Sequence, residues 1–375
     1  MPAQNDTLPR LNILHTESSC GWGGQEIRTL TEAAGMIARG HQVALACPPE
    51  AKIFVEAPRF GVPAHPLPMA RKNLGGVLAL RRLIKALGPD VVNTHSSTDS
   101  WLAALAGATL ADAPPAVRTR HISSPIPDNL ATRWLYRHAP RHVVTTGEAL
   151  RTTLIAQLGL APDRVTSVPT GIDTARFQPG DKSGARAELG LDPALNYVGI
   201  VATLRSWKGH SYLIDAFAQL DAPGWQLLIV GGGPQMDNLS AQIQALGAGG
   251  RVRLMGEQRN AERWMQALDL FCLPSYANEG VPQAIMQAML TGLPIVTTPV
   301  GAILEAVTDG ETALVIQPRN AEAIAGALHR LMQDAPLRST LGQHARQAAL
   351  ARFSLDTMLD RMEQVFHRAI QAGKP

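Results

Sequence analysis

The sequence predicts an α/β protein built from two doubly wound, Rossmann-like domains. Short apolar runs rich in Val, Ile and Leu recur along its 375 residues, and segments with helical periodicity separate them. Buried parallel strands joined by helices produce this alternation. A stretch rich in Gly, Pro and charged residues near the middle of the chain divides the pattern into two similar halves.

Five strands are predicted in the first half, with helical segments at 25–39 and 76–87 between them. These strands are 11–16, 42–47, 90–95, 115–121 and 142–147. The second half repeats the plan with six predicted strands, which are 196–203, 225–231, 252–256, 270–274, 294–298 and 313–317.

The domain boundaries follow from these patterns. We expect an N-terminal domain over 1–178, a linker over 179–196 with the sequence PGDKSGARAELGLDPALN, and a second domain over 197–353. The remaining segment, 354–375, is predicted to be a C-terminal helix and tail, because its apolar residues recur at helical spacing. That helix either crosses back onto the first domain or packs on the second.

The composition indicates an ordered globular protein, with 45% hydrophobic and 17% charged residues. Three scattered cysteines give neither a disulfide framework nor a CxxC metal motif, which favours a reducing compartment. The first residues lack a basic segment leading into a long apolar run, and no apolar stretch reaches the roughly 18 residues of a membrane span. We therefore expect no signal peptide and a cytoplasmic location.

The two halves differ in charge. Residues 1–180 hold 18 Lys and Arg against 13 Asp and Glu, a net charge of +5, whereas 181–375 hold 16 against 18, a net charge of −2. A mildly basic first half suits a phosphorylated substrate or an acidic membrane surface, although ordinary surface variation gives the same excess. No Lys/Arg-rich run interleaved with aromatic residues occurs, which argues against a nucleic-acid partner.

Two glycine-rich turns follow predicted strands. Gly23 and Gly24 lie between the first strand and a helix, where glycine lets the backbone approach a ligand and the helix N-terminus offers amide donors to an anion. The spacing is not that of the dinucleotide motif G-x-G-x-x-G. Gly231, Gly233 and Pro234 follow a strongly apolar strand, at the edge where doubly wound sheets bind ligands. Each turn is alternatively a purely structural one.

Charged residues follow two strands of the second half. Arg205 and Lys208 come after strand 196–203, placed to stabilise the negative charge of a diphosphate leaving group. Glu279 follows strand 270–274, where a carboxylate can accept hydrogen bonds from sugar hydroxyls and stabilise an oxocarbenium-like transition state. The alternatives are solvated surface cations at 205 and 208 and an exposed loop carboxylate at 279.

The residues after Glu279 predict the start of a helix. Pro282 can open this helix and Gly292 can close it. The backbone amides of Gly280 and Val281 would then point toward the same region as the Glu279 carboxylate.

Histidines end two strands of the first half. His121 closes 115–121 and His95 closes 90–95, and imidazoles at strand ends are candidate acid/base or hydrogen-bonding groups. The chain has 11 His, so a structural or solvated role is the alternative. No His/Cys/Asp cluster has metal-ligand spacing, so no metal is predicted.

These features occur in a fixed order over nearly the whole chain, and that ordered set resembles the family 4 glycosyltransferases of the GT-B fold, of the lipopolysaccharide-core and cell-surface polysaccharide type. The matching segments are Gly23-Gly24, RGHQV (39–43), DVVNTH (90–95), His121, VPTGIDTARF (168–177), Arg205 with Lys208, LLIVGGGP (227–234), SYANEGVPQAIMQAMLTGLPIVTTPVG (275–301) and VGAILEAVTDGETALVIQP (300–318).

The resemblance implies two domains facing a central cleft, and a retaining, metal-independent sugar transfer that needs no cofactor beyond the nucleotide-diphosphate-sugar donor. By resemblance, Arg205 and Lys208 would hold the donor pyrophosphate and Glu279 would contact the donor sugar. Gly23 and Gly24 would border the cleft near the phosphates, and His121 would lie close to the reacting sugar.

The chain departs from the family pattern at three positions. Gln287 stands where the family has a second Glu that meets the nucleotide ribose; its amide oxygen still accepts a hydrogen bond but carries no charge, so we expect an altered ribose contact. Thr203 aligns with the usual family Arg, so that Arg205 would supply the cation from a shifted position. Ala302 replaces the second residue of a frequent Gly-Gly pair.

The leading functional hypothesis is a glycosyltransferase that acts on a cell-envelope glycan or lipid-linked acceptor, at the inner face of the cytoplasmic membrane. A GT-B protein that binds a nucleotide sugar without transferring it, and a nucleotide-sugar epimerase, are the alternatives. A basic-aromatic segment is a candidate contact with a membrane or an anionic acceptor, and its alternative is a partly buried helix. The segment contains Arg133, Trp134, Tyr136, Arg137 and Arg141.

Overall fold

The computed structural model describes residues 9–121 and 126–372, and this part of the chain divides into two compact units. The first unit contains residues 9–121, 126–169 and 355–372, and the second contains 170–354. Within the described residues, no helix has the combined length and apolar character that crossing a bilayer requires.

The first unit contains one seven-stranded parallel sheet with helices between consecutive strands. Its strands are β1 Asn12–Thr16, β2 Gln42–Cys47, β3 Ala64–Pro66, β4 Val91–Thr94, β5 Ala116–Arg120, β6 His142–Thr145 and β7 Val165–Ser167. Its first six helices are α1 Gly24–Ala38, α2 Lys52–Glu56, α3 Leu74–Leu87, α4 Ser97–Gly107, α5 Leu130–Arg137 and α6 Glu148–Leu158. The order across the sheet is β3-β2-β1-β4-β5-β6-β7.

The second unit repeats this architecture with six parallel strands in the order β10-β9-β8-β11-β12-β13. The strands are β8 Asn196–Val201, β9 Trp225–Val230, β10 Val252–Gly256, β11 Leu270–Leu273, β12 Ile295–Thr297 and β13 Leu314–Val315. The helices are α7 Lys182–Glu188, α8 His210–Gln219, α9 Met236–Ala245, α10 Ala261–Ala267, α11 Gln283–Thr291, α12 Ala321–Gln333 and α13 Ala335–Arg352.

The last helix, α14 Leu355–Gln371, belongs to the first unit although it follows the second in the chain. It packs against α1, and its apolar face joins the core beneath β1, β4 and β5. Met362 and Phe366 on this face are fully buried. The helix therefore crosses back onto the first unit, which is one of the two outcomes that the sequence allowed.

Both sheets are predicted correctly in class, because strands buried on both faces require the apolar runs that the sequence shows. The eleven predicted strands all form, each within the predicted range or shortened at its ends. The edge strands β3 and β7 were not predicted, since each has only three residues and no apolar run.

The predicted linker at 179–196 is wrong. Its central part forms α7, where Ala185 is fully buried in the core of the second unit. Arg186 donates to the Asp269 carboxylate at 2.6 Å, which fixes this segment to the start of β11. The chain enters the second unit at Thr170, ahead of the predicted boundary at 178. The glycines and charged residues of this segment belong to a short surface helix and its flanking turns, and not to a connection between domains.

The parallel strands place particular loops on one edge of each sheet. In the first unit, the residues after β1, β4 and β5 leave the carboxyl edge next to each other, because these strands are neighbours. In the second unit, the same holds for the residues after β8 and β11. Ligands of doubly wound sheets bind at this edge.

Candidate functional site

A buried ion pair joins the ends of two neighbouring strands in the second unit. Lys208 Nζ donates to the two carboxylate oxygens of Glu279, at 2.7 and 2.9 Å. Lys208 follows β8 and Glu279 follows β11. The Glu279 side chain is 5% exposed and that of Lys208 is 19% exposed, so solvent reaches the pair mainly from the lysine side. Lys208, predicted for the donor pyrophosphate, and Glu279, predicted for the donor sugar, are thus in direct contact.

The backbone fixes the separation of this pair. Residues Ser206–Lys208 form one turn of 3₁₀-helix after β8. The carbonyl of Trp207 in that turn accepts a hydrogen bond from the Tyr276 amide at 2.8 Å. Tyr276 precedes Glu279 by three residues, so a main-chain bond ties the two loops together directly beside the ion pair.

Hydrogen bonds from two hydroxyl groups fix the loop that carries Glu279. Ser275 Oγ donates to Glu279 Oε1 at 2.5 Å, and Thr298 Oγ1 donates to the Ser275 carbonyl at 2.5 Å. Gly301 has a φ of +60°, and a Cβ there would lie 2.0 Å from the Glu279 carbonyl oxygen. Asn278 adopts the left-handed region at φ +56°, a conformation that asparagine tolerates better than most residues. The Glu279 loop therefore requires glycine at 301.

The turn at 231–234, with Gly231, Gly233 and Pro234, packs against the chain's own backbone. A Cβ on Gly231 would lie 2.0 Å from the Ala202 carbonyl oxygen, and one on Gly233 would lie 2.8 Å from the Leu204 amide nitrogen. Leu204 N also donates to the Gly232 carbonyl at 2.9 Å. These glycines support the loop that leads to Lys208, and a contact between them and a donor stays a prediction.

The other predicted donor-site residues differ in exposure. Arg205 is exposed, and its guanidinium carbon lies 5.7 Å from the centre of the Trp207 ring. Gly280 and Gln287 are half-buried, and Val281 is buried. Gln287 lies on α11, which begins directly after Pro282 and ends at Gly292, as the sequence predicts.

The sequence analysis missed an aromatic-cationic pair beside this site. The Arg319 guanidinium lies 4.4 Å from the centre of the Tyr276 ring, at cation–π distance. Tyr212 meets the same ring edge-on, with centroids 6.0 Å apart. Arg319 follows β13 and adopts a left-handed backbone at φ +58°. That unusual backbone cannot be read from the letters PRNA, so only the structure reveals this second exposed cation.

His121 lies in the first unit, at the outer end of a chain of three imidazoles. His15 Nδ1 is 2.9 Å from His95 Nε2, and His95 Nδ1 is 2.9 Å from His121 Nε2. Burial lowers the pKa of His15 to about 3 and holds the pKa values of His95 and His121 well below the ordinary value of 6.5. All three imidazoles are therefore neutral near pH 7.

Asp99 organises the loop that carries His95. Its Oδ2 accepts from Thr16 Oγ1 at 2.7 Å and from the His95 amide at 2.8 Å. Its Oδ1 accepts from the amide and the hydroxyl of Ser96, at 2.9 and 2.6 Å, which forms the capping box of α4. Its contacts are thus with backbone and hydroxyl groups.

Gly23 and Gly24 lie at the start of α1, next to a buried carboxyl group. Gly23 is the N-cap residue, in an extended conformation. Glu17 in the preceding loop accepts from the Ser19 amide at 2.8 Å and from Gln25 Nε2 at 2.5 Å. Burial, and then the neighbouring Asp99 charge, raise the pKa of Glu17 to about 8. The sequence analysis did not single out Glu17.

The basic-aromatic segment forms α5, a partly buried helix. Tyr136 is buried beneath the Arg118 guanidinium at 4.0 Å, and Arg137 Nε donates to the Leu158 carbonyl. Arg133 pairs with Asp128. The structure thus agrees with the alternative, a partly buried helix, because Tyr136 and Arg137 make contacts inside the unit. Contact of this segment with a membrane or an anionic acceptor stays a prediction.

Trp134 of this helix instead belongs to an apolar surface of the first unit. Its ring stacks on that of Trp101, with centroids 5.6 Å apart. Lys72 Nζ lies 5.1 Å from the centre of the Trp101 ring. We name this the Trp101–Trp134 surface; it consists of Trp101, Trp134, Lys72 and the exposed leucines Leu74, Leu105 and Leu130.

Comparison with protein families assigns both halves of the chain. The model of glycosyltransferase family 4 matches residues 22–176, and the model of glycosyl transferases group 1 matches residues 181–348.

Among characterised proteins, the lipopolysaccharide core biosynthesis mannosyltransferase LpsB of Rhizobium meliloti (strain 1021) is 38% identical over 181 residues, which is 46% of this chain and 51% of the relative. The D-inositol 3-phosphate glycosyltransferase of Nocardia farcinica is 34% identical over 251 residues, or 63% of this chain and 53% of the relative. The matches thus span about half the length of these relatives.

Solved structures share the fold over almost the whole chain. Anabaena Alr3699/HepE in complex with UDP has a TM-score of 0.83 at 22% identity and covers 96% of this chain and 100% of its own. WaaG, a glycosyltransferase involved in lipopolysaccharide biosynthesis, has a TM-score of 0.71 at 17% identity, with coverages of 94% and 99%. At such identities the likeness concerns the fold. Because consecutive family models match both halves and the fold agrees, the chain belongs to the family 4 glycosyltransferases of the GT-B fold.

Proposed function

We propose that the chain is a retaining glycosyltransferase that moves a sugar from a nucleotide-diphosphate donor to a cell-envelope glycan or lipid-linked acceptor. The observation that carries this proposal is the contact between Lys208 and Glu279 at the carboxyl edge of the second sheet. A cation suits the phosphates of a donor and a carboxylate suits its sugar hydroxyls, and here the two groups are adjacent.

Lys208 would stabilise the departing diphosphate. An ammonium group has three N–H donors, and the Glu279 oxygens accept two hydrogen bonds from it, so a phosphate oxygen can take the third. Arg205 is exposed three residues earlier and would add a second cation. These two cations would neutralise the developing charge without a metal ion, which is the role that we propose for them.

Glu279 would act on the donor sugar by hydrogen bonding and electrostatics. Its carboxylate accepts hydrogen bonds from Lys208 and from Ser275, which occupy its oxygens. These contacts also make the carboxylate a poor nucleophile. Retention would then proceed by attack on the face from which the phosphate leaves, with a phosphate oxygen taking the proton of the acceptor hydroxyl.

The glycine at position 23 is an argument for a ligand that contacts the first unit. Among the residues that the structure describes, a Cβ at Gly23 would meet only the Glu26 carboxylate, at the ordinary contact distance of 3.8 Å. Its φ of −175° is open to any residue. Neither packing nor backbone conformation therefore requires glycine here, in contrast to Gly301. A close approach of donor phosphates to the backbone of Gly23 and Gly24 would account for it.

The names of the relatives suggest where the search for substrates should begin. HepE structures hold UDP, UDP with glucose, and UDP-glucose. LpsB is named as a lipopolysaccharide core biosynthesis mannosyltransferase, and the Nocardia farcinica relative as a D-inositol 3-phosphate glycosyltransferase. We propose an envelope or phosphorylated acceptor for this chain, presented at a membrane to which the Trp101–Trp134 surface binds.

A screen of UDP-, GDP- and ADP-sugars by thermal shift would identify the donor, because a ligand that binds the native state raises the unfolding midpoint. Turnover is then measured with envelope glycan and lipid-linked acceptors. We expect the wild type to bind a nucleotide sugar and to transfer its sugar. We expect the Glu279→Ala variant to show no transfer. The proposal fails if no nucleotide sugar binds or reacts, or if Glu279→Ala transfers at the wild-type rate.

Gln287 favours one second candidate, a protein that binds a nucleotide sugar without transferring it. An uncharged amide at the ribose position departs from the family pattern and would alter how the donor is held, which is compatible with binding that does not lead to transfer. Donor affinity without transfer to any acceptor, and without hydrolysis, would support this candidate. Clear turnover would eliminate it, and product formation without any acceptor would indicate an epimerase.

A further inference from the structure

The three imidazoles of the first unit form one continuous hydrogen-bonded chain. His15, His95 and His121 belong to β1 and to the ends of β4 and β5, which are neighbours in the sheet. The His15 and His95 rings stack with centroids 5.2 Å apart and an angle of 11°, and the His95 and His121 rings lie at 5.2 Å and 30°. Strand register therefore aligns one ring with the next.

The chain has a direction because all three rings are neutral. A neutral imidazole has one N–H donor and one lone pair, so each contact needs a donor on one side and an acceptor on the other. If His15 donates to His95, then His95 must donate to His121, whose remaining proton is on Nδ1. In the reverse direction, His121 donates through Nε2 and its Nδ1 is a bare lone pair.

The inner end of the chain decides between these directions. His15 is fully buried, and its Nε2 has no hydrogen-bond partner among the residues that the structure describes. Phe366, at 6.5 Å and nearly perpendicular to the His15 ring, offers no lone pair to it. Unpaired buried N–H groups are rarer than under-satisfied acceptors. A bare lone pair on His15 Nε2 is therefore favoured, with its proton on Nδ1.

The surroundings disfavour a proton moving inward along the chain. Arg28 on α1 and Arg120 on β5 oppose a positive charge on His121, and Arg28 also opposes one on His95. Asp99 accepts a hydrogen bond from the His95 amide and not from its ring, because the two His95 ring nitrogens pair with imidazoles. A proton delivered to His15 would meet no acceptor beyond its Nε2. The chain thus orients His121 and does not conduct protons.

We propose that His15 and His95 are positioning residues that hold His121 neutral with its proton on Nδ1, so that His121 donates a hydrogen bond to a substrate oxygen and does not act as a general base. The substrate oxygen, a sugar hydroxyl or a phosphate oxygen, rests on the proposed function. The tautomer itself belongs to the free protein and can be measured without any substrate.

Nitrogen-15 NMR of histidine-labelled protein tests the tautomer directly, with the His121 signals assigned by their loss in His121→Asn. We expect Nδ1 to be protonated and Nε2 unprotonated, with no titration between pH 5.5 and 8. A proton on Nε2, or titration in this range, would overturn the proposal. Failure to find sugar transfer would contradict the proposed function, whereas the tautomer of His121 in the free protein would still stand as measured.

The variant His15→Phe tests the positioning role, because it keeps a buried ring and removes the inner donor. We expect the His121 signals to shift toward a mixture of tautomers, and kcat to fall about threefold to tenfold, the worth of one hydrogen bond, with little change in KM. His142→Phe is the matched control: His142 is buried in the same unit, but its Nε2 contacts Thr166. An unchanged His121 tautomer in His15→Phe would contradict the positioning role, whatever the change in stability.

Discussion

Lys208 Nζ lies 2.7 Å from Oε1 and 2.9 Å from Oε2 of Glu279, at a point where the carboxylate is 5% exposed. Loss of the lysine would remove both of these charged contacts from a carboxylate that is almost fully buried. We therefore expect Lys208→Met to lower the free energy of unfolding by about 2 kcal/mol, less than a fully buried pair because Lys208 is partly exposed. Urea denaturation at pH 7 measures the change.

Arg205→Met provides the matched control for Lys208→Met. Arg205 is in the same loop but is exposed, so its loss should weaken donor binding and leave stability almost unchanged. The double variant Lys208→Met with Glu279→Gln should recover most of the lost stability, because it buries no unpaired charge. Equal stability of Lys208→Met and the wild type would show that the pair does not stabilise the fold.

Glycine is proposed to serve ligand binding at position 23 and the backbone conformation at position 301. Alanine substitution should distinguish these two roles. Gly301→Ala places a Cβ 2.0 Å from the Glu279 carbonyl oxygen at a φ of +60°, so we expect about 2 kcal/mol or more of destabilisation. Gly23→Ala meets no such obstacle and should keep the wild-type unfolding midpoint while donor affinity falls. Thermal unfolding and donor titration of both variants measure this. A strongly destabilised Gly23→Ala would show that its glycine is structural.

The sequence was sufficient to predict features that depend on position along a strand. Apolar runs predict the parallel strands. The first charged residue after β8 is Arg205, with Lys208 three residues later, and the first after β11 is Glu279. Because parallel strands end at one edge, proximity follows without knowledge of side-chain rotamers. The same argument failed for 179–196, where glycine and charge resemble a linker and only the burial of Ala185 shows a packed helix.

The histidine chain could not be predicted, because it depends on register between strands distant in the sequence. His15 is separated from His95 by 80 residues, and nothing near either one indicates a partner. Gly231 and Gly301 illustrate the same limit, since the carbonyl groups that demand glycine belong to other loops. Arg319 contacts Tyr276 from a third strand end, and its left-handed backbone has no local sequence signal.

Gln287→Glu should tighten donor binding if residue 287 meets the ribose. Hydrogen bonds to a charged group exceed those to a neutral one by about 1 kcal/mol, which corresponds to roughly fivefold in Kd. Calorimetric titration with the nucleotide diphosphate of the identified donor measures the change. Gln343→Glu, at an exposed position on α13, is the control for the added charge and should leave Kd unchanged. An unaltered or weaker affinity of Gln287→Glu would place the ribose elsewhere.

The Trp101–Trp134 surface should bind membranes that carry anionic lipids. Leu130 is 86% exposed and Leu74 is 73% exposed, and Lys72 lies beside the stacked tryptophans, so insertion of apolar groups and attraction to lipid headgroups would act together. We expect cosedimentation with vesicles containing phosphatidylglycerol, and a severalfold loss in Leu74→Ser with Leu130→Ser. Leu350→Ser, at an exposed leucine of α13, is the control. If the double variant Leu74→Ser with Leu130→Ser binds vesicles as well as Leu350→Ser does, another surface contacts the membrane.

His210 should make the second unit less stable in acid. It is the first residue of α8 and is 2% exposed; burial, followed by the Lys208 charge, lowers its pKa to about 4. Between pH 6.5 and 4, the His210 imidazole is protonated in the unfolded chain but not in the folded one. The free energy of unfolding therefore falls as the pH falls, by about 2 kcal/mol from pH 7 to pH 5. The stability advantage of the wild type over His210→Asn should therefore shrink by that amount in urea titrations at the two pH values. A constant stability difference between the wild type and His210→Asn at the two pH values would contradict this account.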